Sequence, residues 1–156
     1  LNGGSIIKTT IDHCQQLGAA MGKMHTAGLS YEAHQSNPRG PAWCQQTAQK
    51  VIEKLSADDQ QMLDDEVHFQ KEKRHAELPR GVIHADLFRD NALWDGDTLS
   101  GIIDFYYACD DVLLYDVAVL VNDWCNTRDA ALDKDKVVAL LQAYNRYRPF
   151  QDNEQQ

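Results

Sequence analysis

The sequence predicts a mainly helical α+β domain in which helices surround one small β-hairpin. Over most of the chain, apolar residues recur at three- and four-residue steps, which is the spacing of amphipathic helices. Two short apolar runs, Ala92–Trp94 and Gly101–Ile103, are the exception, and the turn sequence Asp95-Gly96-Asp97 lies between them. Asp-Gly between short apolar runs is a strong signal for a hairpin. These observations favour helices everywhere except at this hairpin.

Five helices are predicted, near residues 10–27, 43–55, 57–77, 112–125 and 130–147. Thr10 is a suitable N-cap for the first helix. The buried stripe of that helix is expected to contain Ile11, Cys14, Leu17, Met21 and Met24. The fourth helix is the most apolar, so we expect it to be central, with Asp110 and Asp111 capping its start. Residues 1–5 are predicted to form a flexible connection, and residues 151–156 a polar tail.

Length, charge and cysteine content narrow the class of protein. The 156 residues correspond to one domain. The net charge of −9 argues against nucleic acid or an anionic membrane as a partner. No apolar run approaches the roughly 20 residues that a membrane span needs, and no signal segment is recognisable. The four cysteines contain no Cys-x-x-Cys pair, which fits reduced thiols in a cytoplasmic protein.

Three polar side chains are expected to meet at the open end of the hairpin. Asn91 directly precedes the first strand, Asp104 directly follows the second, and Asp86 belongs to the loop that leads into the hairpin. One carboxylate is thus available to accept a hydroxyl proton, while an amide oxygen and a second carboxylate can hold a hard cation such as Mg²⁺. The combination predicts a phosphoryl-transfer site.

Three further residues have open interpretations. Asp116 lies inside the most apolar helix, where an ionised carboxylate is costly unless it is hydrogen-bonded or paired. The alternative is that Asp116 caps the helix or faces solvent. Arg89 either meets a phosphate or forms an ion pair of little energetic weight with Asp90. His25 is interpreted as a hydrogen-bonded structural histidine in preference to a functional one.

The loop and the hairpin end resemble two motifs of the aminoglycoside-phosphotransferase-like kinases, distant relatives of the protein kinases. His84, Asp86 and Asn91 match His-x-Asp-x-x-x-x-Asn. Asp104 stands at the Asp-Phe-Gly position, although Tyr106 replaces the glycine. Within that superfamily, residues 81–125 look most like the bacterial homoserine kinases. The resemblance implies a protein-kinase-like C-terminal lobe over residues 1–150 and ATP-dependent phosphorylation of the homoserine hydroxyl, a step in threonine biosynthesis.

The resemblance also implies a role for each motif residue. Asp86 is expected to be the catalytic aspartate that deprotonates the substrate hydroxyl. Asn91 and Asp104 are expected to bind Mg²⁺ and, through it, the phosphates of ATP. His84 is expected to support the loop through hydrogen bonds. Asp116 resembles the helix aspartate that steadies the catalytic loop from behind.

A complete kinase of this kind also has an N-terminal lobe with a phosphate-covering loop and a lysine paired with a glutamate. The sequence contains no Gly-x-Gly-x-x-Gly pattern. We therefore expect the N-terminal lobe to be absent from this chain and to be its missing partner in a longer protein. The isolated lobe is expected to be inactive, and its uncovered apolar surface makes self-association an expectation as well.

Other functions stay open at this point. Asp110, Asp111 and Asp123 are expected to attract the ammonium group of homoserine. The same acidic surface would suit another kinase of the superfamily, acting on an aminoglycoside, choline or a methylthio sugar. A non-catalytic interaction domain with the same fold is a further alternative, although the intact motif positions argue against it. A metal-dependent hydrolase ranks last, because no histidine has the spacing to activate water.

Overall fold

The computed structural model, which describes residues 2–73, 77–127, 129 and 131–155, contains α-helices and two small antiparallel sheets. Its helices are α1 (Ile11–Gly28), α2 (Pro41–Val51), α3 (Ala57–Lys73), α4 (Leu113–Trp124) and α5 (Lys134–Tyr147). Its strands are β1 (Arg80–Ile83), β2 (Ala92–Asp95), β3 (Thr98–Ile102) and β4 (Cys109–Val112). Within the described ranges, no helix has both the length and the apolar character that a membrane crossing requires.

Two compact units divide the chain. Residues 36–77 form the smaller unit, in which α2 and α3 pack against each other. The rest of the chain forms the larger unit, which contains α1, α4, α5 and the strands β1 to β4. The motif residues of the loop and the hairpin therefore all belong to the larger unit.

The core of the larger unit lies where α1 packs along α5, with α4 beside them. Close approach is possible because a Cβ atom on Gly18 would lie 2.2 Å from the Leu140 carbonyl oxygen, and one on Gly22 2.7 Å from that of Tyr144. The buried side chains of this core include Cys14, Leu17, Met21, Val117, Leu120, Trp124, Leu140 and Tyr144. The central position predicted for the fourth helix is confirmed. Ile11 is 47% exposed, so its predicted place in the buried stripe is wrong.

Each sheet has two strands, and only one of the sheets is predicted. β2 pairs with β3 in the expected hairpin. β1 pairs with β4, so that Ile83 lies opposite Cys109. The predicted hairpin is therefore confirmed, the pairing of β1 with β4 was not predicted, and Asp110 and Asp111 lie in β4 instead of capping α4. Four residues are too few to show a strand periodicity, and β4 forms because a distant strand pairs with it.

Several helix ends differ from their predicted positions. Thr10 caps α1 as predicted, since its Oγ1 accepts a hydrogen bond from a first-turn backbone N–H. α5 begins at Lys134, four residues late, because Asp133 accepts bonds from two backbone N–H groups of the first turn. α2 ends at Val51 and is followed by a short 3-10 turn. Residues 74–76, predicted within the third helix, lie outside the described residues.

Both ends of the larger unit are more structured than predicted. Gly4 exchanges two backbone hydrogen bonds with Trp94, of 3.0 and 2.9 Å, so it extends the hairpin edge instead of forming a flexible connection. At the other end, the side chain of Glu154 is fully buried and its two oxygens lie 2.5 and 2.6 Å from Arg148 Nη1. Within the described residues 151–155, the predicted polar tail therefore contains an ordered 3-10 turn, Asp152–Glu154.

Candidate active site

His84 ties the loop after β1 to the end of β3. The buried ring accepts a hydrogen bond at Nδ1 from the backbone N–H of Asp86, with a separation of 3.3 Å. The ring proton of a neutral imidazole therefore lies on Nε2, which donates to the Ile103 carbonyl oxygen at 2.9 Å. One side chain thus bonds to the backbone on the Asp86 side and to the residue immediately before Asp104.

Asn91 is bonded to both halves of the site. Its side-chain Nδ2 donates to the backbone oxygen of Asp86 at 2.7 Å and lies 3.4 Å from the Asp86 carboxylate. Its backbone oxygen accepts a hydrogen bond of 3.0 Å from the N–H of Ile103. Because the amide nitrogen is engaged, Oδ1 is the side-chain atom of Asn91 that remains for a cation.

Asp104 has an unusual backbone conformation. Its φ of 62° and ψ of 60° lie in the left-handed region, which asparagine and aspartate tolerate better than most residues. Ala85 also has a positive φ, of 65°. Strained conformations of this kind cost about 1–3 kcal/mol and tend to cluster at functional sites. Here the two strained residues adjoin the loop and the hairpin end that carry the predicted motif.

Asp116 holds the loop from the side of α4. Its side chain is fully buried, so the alternative in which it faces solvent is wrong. Oδ2 accepts from the backbone N–H of His84 at 2.7 Å, and Oδ1 from that of Ala85 at 2.8 Å. His25 Nε2 lies 3.1 Å from Oδ2, and the Tyr144 hydroxyl lies 2.8 Å from His25 Nδ1. The prediction that His25 is a hydrogen-bonded structural histidine is confirmed.

Sequence reasoning missed the partners of His25. Tyr144 fits the apolar stripe of the last helix and carries no local sign of a polar contact. Its partner His25 is 119 residues away in the sequence, and Asp116 is 91 residues away from His25. No pattern of adjacent residues could have indicated this connection.

Arg89 is bonded to Asp123 and to the backbone of Ile7. Its backbone N–H donates to Asp123 Oδ2 at 2.9 Å, and Nε donates to the Asp123 carbonyl oxygen at 3.2 Å. Nη1 donates to the Ile7 carbonyl oxygen at 2.8 Å. Its carboxylate partner is thus Asp123 and not Asp90, and the pair is partly buried, not a surface ion pair.

Asp110 and Asp111 also have basic neighbours. Asp110 Oδ2 lies 2.6 Å from His34 Nδ1, and the buried Asp111 lies 3.2 Å from Arg80 Nη2. Asp123 is engaged by Arg89 in the same way. The attraction that these acids were expected to exert on an ammonium group is weakened accordingly.

The donor chemistry of the site suits a hard cation. Within the described part of the chain, no three His, Cys, Asp or Glu side chains lie close enough to hold a metal ion. A cation at this end of the hairpin would therefore rely on Asn91 Oδ1 and the Asp104 carboxylate, without a protein cage. Mg²⁺ is commonly bound in this manner, by one or two protein oxygens together with substrate phosphates and water.

Comparison with known proteins identifies the family. The sequence profile of the phosphotransferase enzyme family, APH, matches residues 4–150. The chain belongs to the phosphotransferase enzyme family. Relatives of this phosphotransferase chain include a homoserine kinase of Methylobacillus flagellatus, 48% identical over 154 residues that make up 99% of the chain and 48% of the relative. A homoserine kinase of Methylobacillus glycogenes is 42% identical over the same shares. The chain thus spans about half the length of the curated relatives it matches.

Solved structures agree with this assignment at the level of the fold. A structure of amicoumacin kinase hAmiN in complex with AMP-PNP, Ca²⁺ and Ami superposes with a TM-score of 0.70 at 17% identity, covering 98% of this phosphotransferase chain and 49% of that chain. The predicted fold class, a mainly helical lobe of the protein-kinase-like type, is confirmed. The predicted resemblance to homoserine kinases is confirmed by the named relatives.

Proposed function

We propose that this chain is the C-terminal lobe of a cytoplasmic kinase that phosphorylates the side-chain hydroxyl of homoserine with ATP, as a step in threonine biosynthesis. The observation that carries the proposal is the pair of hydrogen bonds that Asp116 accepts from the backbone N–H groups of His84 and Ala85. These two bonds hold the loop that contains Asp86. Homoserine is proposed as the substrate because the relatives include homoserine kinases.

In this proposal Asp86 is the general base. Its carboxylate would accept the hydroxyl proton as the substrate oxygen forms a bond to the terminal phosphorus of ATP, while the bond from that phosphorus to the bridging oxygen breaks and ADP leaves. Asn91 orients Asp86 through its bond to the Asp86 backbone oxygen. Mg²⁺, held by Asn91 Oδ1 and the Asp104 carboxylate, would neutralise negative charge on the phosphates. His84 keeps the Asp86 loop and the Asp104 end of β3 in register.

The rest of the protein is proposed to grip the nucleotide. The relatives are about twice as long as this chain. A lobe that covers the phosphates and supplies a lysine to them would complete the site from the opposite side. The proposed partners are therefore that second lobe and a small molecule with a hydroxyl group.

The test measures ADP release by the complete protein. Homoserine, an aminoglycoside, choline and a methylthio sugar are offered in parallel, and homoserine is expected to be turned over. Asp86→Asn keeps the shape of the side chain but removes the proton acceptor, so kcat should fall by about 10²–10⁴-fold. The KM for ATP should stay constant, because Asp86 does not hold the nucleotide.

Asp90→Asn is the matched control, since Asp90 is an exposed carboxylate in the same loop. Its kcat is expected to equal that of the wild type. Turnover of a different alcohol in place of homoserine would contradict the substrate, and an unchanged kcat in Asp86→Asn would contradict the base. Failure to phosphorylate any of the four would favour a non-catalytic domain.

A further inference from the structure

A series of buried polar side chains connects α5 with the catalytic loop, the segment after β1 that contains His84, Ala85 and Asp86. Tyr144 lies on α5, and its hydroxyl contacts the ring of His25, which lies on α1. The hydroxyl meets His25 Nδ1 at 2.8 Å, and His25 Nε2 meets Asp116 at 3.1 Å. The side chains of His25 and Tyr144 are fully buried. None of these contacts involves substrate, so the series lies behind the site.

The direction of each hydrogen bond follows from the chemistry of the groups. An ionised carboxylate can only accept, so the contact of His25 Nε2 with Asp116 requires the ring proton to be on Nε2. Nδ1 of the neutral imidazole is then an acceptor. Asp116 accepts that proton together with two backbone N–H groups. The opposite arrangement would leave the hydroxyl hydrogen of Tyr144 buried without an acceptor, which is costly.

Burial supports the same assignment. Desolvation raises the pKa of Tyr144 above its ordinary value, which outweighs the lowering influence of the Arg148 charge. The hydroxyl therefore keeps its proton and remains a donor under physiological conditions. His25 thus accepts a hydrogen bond from the Tyr144 hydroxyl at Nδ1 and donates one to the Asp116 carboxylate from Nε2.

We propose that Tyr144 is a positioning residue for the proposed phosphoryl transfer, because its hydroxyl fixes the tautomer of His25 that holds Asp116 and thereby the catalytic loop. The inference rests on the proposed kinase function and assigns to α5 a part in it. Asp116 bonds to His84 and Ala85, and the next residue is the proposed base Asp86. A shift of Asp116 therefore displaces the reacting carboxylate.

The variant Tyr144→Phe removes only the hydroxyl, and Tyr147→Phe is its matched control. Tyr147 lies on the same helix, is 45% exposed, and its ring contact with Lys23 survives in phenylalanine. In the complete protein we expect kcat of Tyr144→Phe to fall about 10- to 100-fold, the range for losing a group that orients a reacting residue. KM for ATP is expected to be unchanged in both variants.

A second readout does not depend on the substrate. Hydrogen exchange of the His84 and Ala85 amides is measured by NMR, and both are expected to exchange faster in Tyr144→Phe than in Tyr147→Phe. Nitrogen chemical shifts of His25 are expected to place its proton on Nε2 in the wild type. If homoserine is not a substrate, the proposed function fails, and these two measurements still decide the hydrogen-bond series.

Two substitutions of His25, by leucine and by glutamine, provide the control for folding. Leucine and glutamine have similar size, but only glutamine keeps an N–H that can reach Asp116. A purely structural role would make buried His25→Leu at least as active as His25→Gln, whereas positioning predicts higher kcat for His25→Gln. Equal kcat in Tyr144→Phe and Tyr147→Phe, or a His25 proton on Nδ1, would overturn the proposal.

Discussion

At Asp104 the backbone and the side chain have separate requirements. The left-handed conformation, with φ of 62°, restricts the position to residues that tolerate it. The negative charge of the carboxylate is proposed to strengthen its bond to the cation. Asparagine tolerates the left-handed conformation but lacks the negative charge. The substitution therefore separates the effect on cation binding from the effect on the backbone.

Asp104→Asn in the complete protein is expected to lower kcat and to raise the Mg²⁺ concentration needed for half-maximal rate. A charge-assisted contact contributes roughly 1.5–3 kcal/mol, which corresponds to about a 10- to 100-fold higher Mg²⁺ requirement. The melting temperature should be nearly unchanged. The measurement is the initial rate against Mg²⁺ concentration at fixed ATP.

Asp97→Asn controls for a general effect of removing charge from the hairpin. Asp97 lies at the turn, and its carboxylate is fully exposed. Its Mg²⁺ requirement should match that of the wild type. Identical Mg²⁺ curves for Asp104→Asn and Asp97→Asn would rule out Asp104 as a ligand.

Residues joined by local spacing were predictable from the sequence, and residues joined across the fold were not. The turn of the hairpin is encoded by adjacent residues, so the approach of Asn91 to Asp86 and to Ile103, the residue before Asp104, could be predicted. Arg89 finds its partner Asp123 on a different element, 34 residues away. From the sequence alone, the neighbouring Asp90 was the natural but wrong choice.

The contact of α1 with α5 depends on two glycines. A Cβ atom on Gly18 would meet backbone oxygen at 2.2 Å, and one on Gly22 at 2.7 Å. On Gly28, the nearest atom is a side-chain carbon of Val82 at 3.2 Å. Backbone atoms of a packed helix cannot move away as a side chain can, so the three sites rank by the cost of a methyl group.

Gly18→Ala is expected to lower the free energy of unfolding most, by about 1–3 kcal/mol from overpacking. Gly22→Ala should cost less, and Gly28→Ala least, because the atom that the added methyl group meets is farther away at each of these sites. In all three variants alanine offsets part of the cost through its higher helix propensity, worth up to about 1 kcal/mol. Urea unfolding of the three variants checks the order. A Gly18→Ala variant as stable as Gly28→Ala would contradict the close packing of these helices.

Among the elements, those in which the spacing of apolar residues extends over several helical turns, or which contain a characteristic turn sequence, were predictable. α1 and α4 follow the helical spacing of apolar residues, and the hairpin β2–β3 follows its Asp-Gly turn. β4 was missed because its sequence, Cys109–Val112, contains two acids and reads as a cap. Its strand conformation comes from pairing with β1, a tertiary effect that no single segment encodes.

At the scale of the whole molecule, the proposed function requires contacts to the nucleotide from two sides, of which the residues of this chain would supply one. Asn91 and Asp104 are proposed to bind the cation, and Asp86 is proposed to accept the proton of the substrate hydroxyl. The chain matches about half the length of its relatives, for instance 48% of the homoserine kinase of Methylobacillus flagellatus. The proposed second lobe would contribute contacts to the phosphates that these residues cannot make.

The chain of 156 residues, produced alone, is therefore expected to bind Mg²⁺ and ATP weakly and to release no ADP with homoserine. Losing two charge-assisted hydrogen bonds at roughly 1.5 kcal/mol each corresponds to about 100-fold weaker nucleotide binding. Calorimetric titration of the chain and of the complete protein with Mg²⁺ and ATP compares the two dissociation constants directly. Circular dichroism must first establish that the chain is folded, because an unfolded chain would also bind weakly. Equal dissociation constants for a folded chain and the complete protein would mean that the lobe described here holds the nucleotide by itself, and the proposed division of labour between two lobes would be wrong.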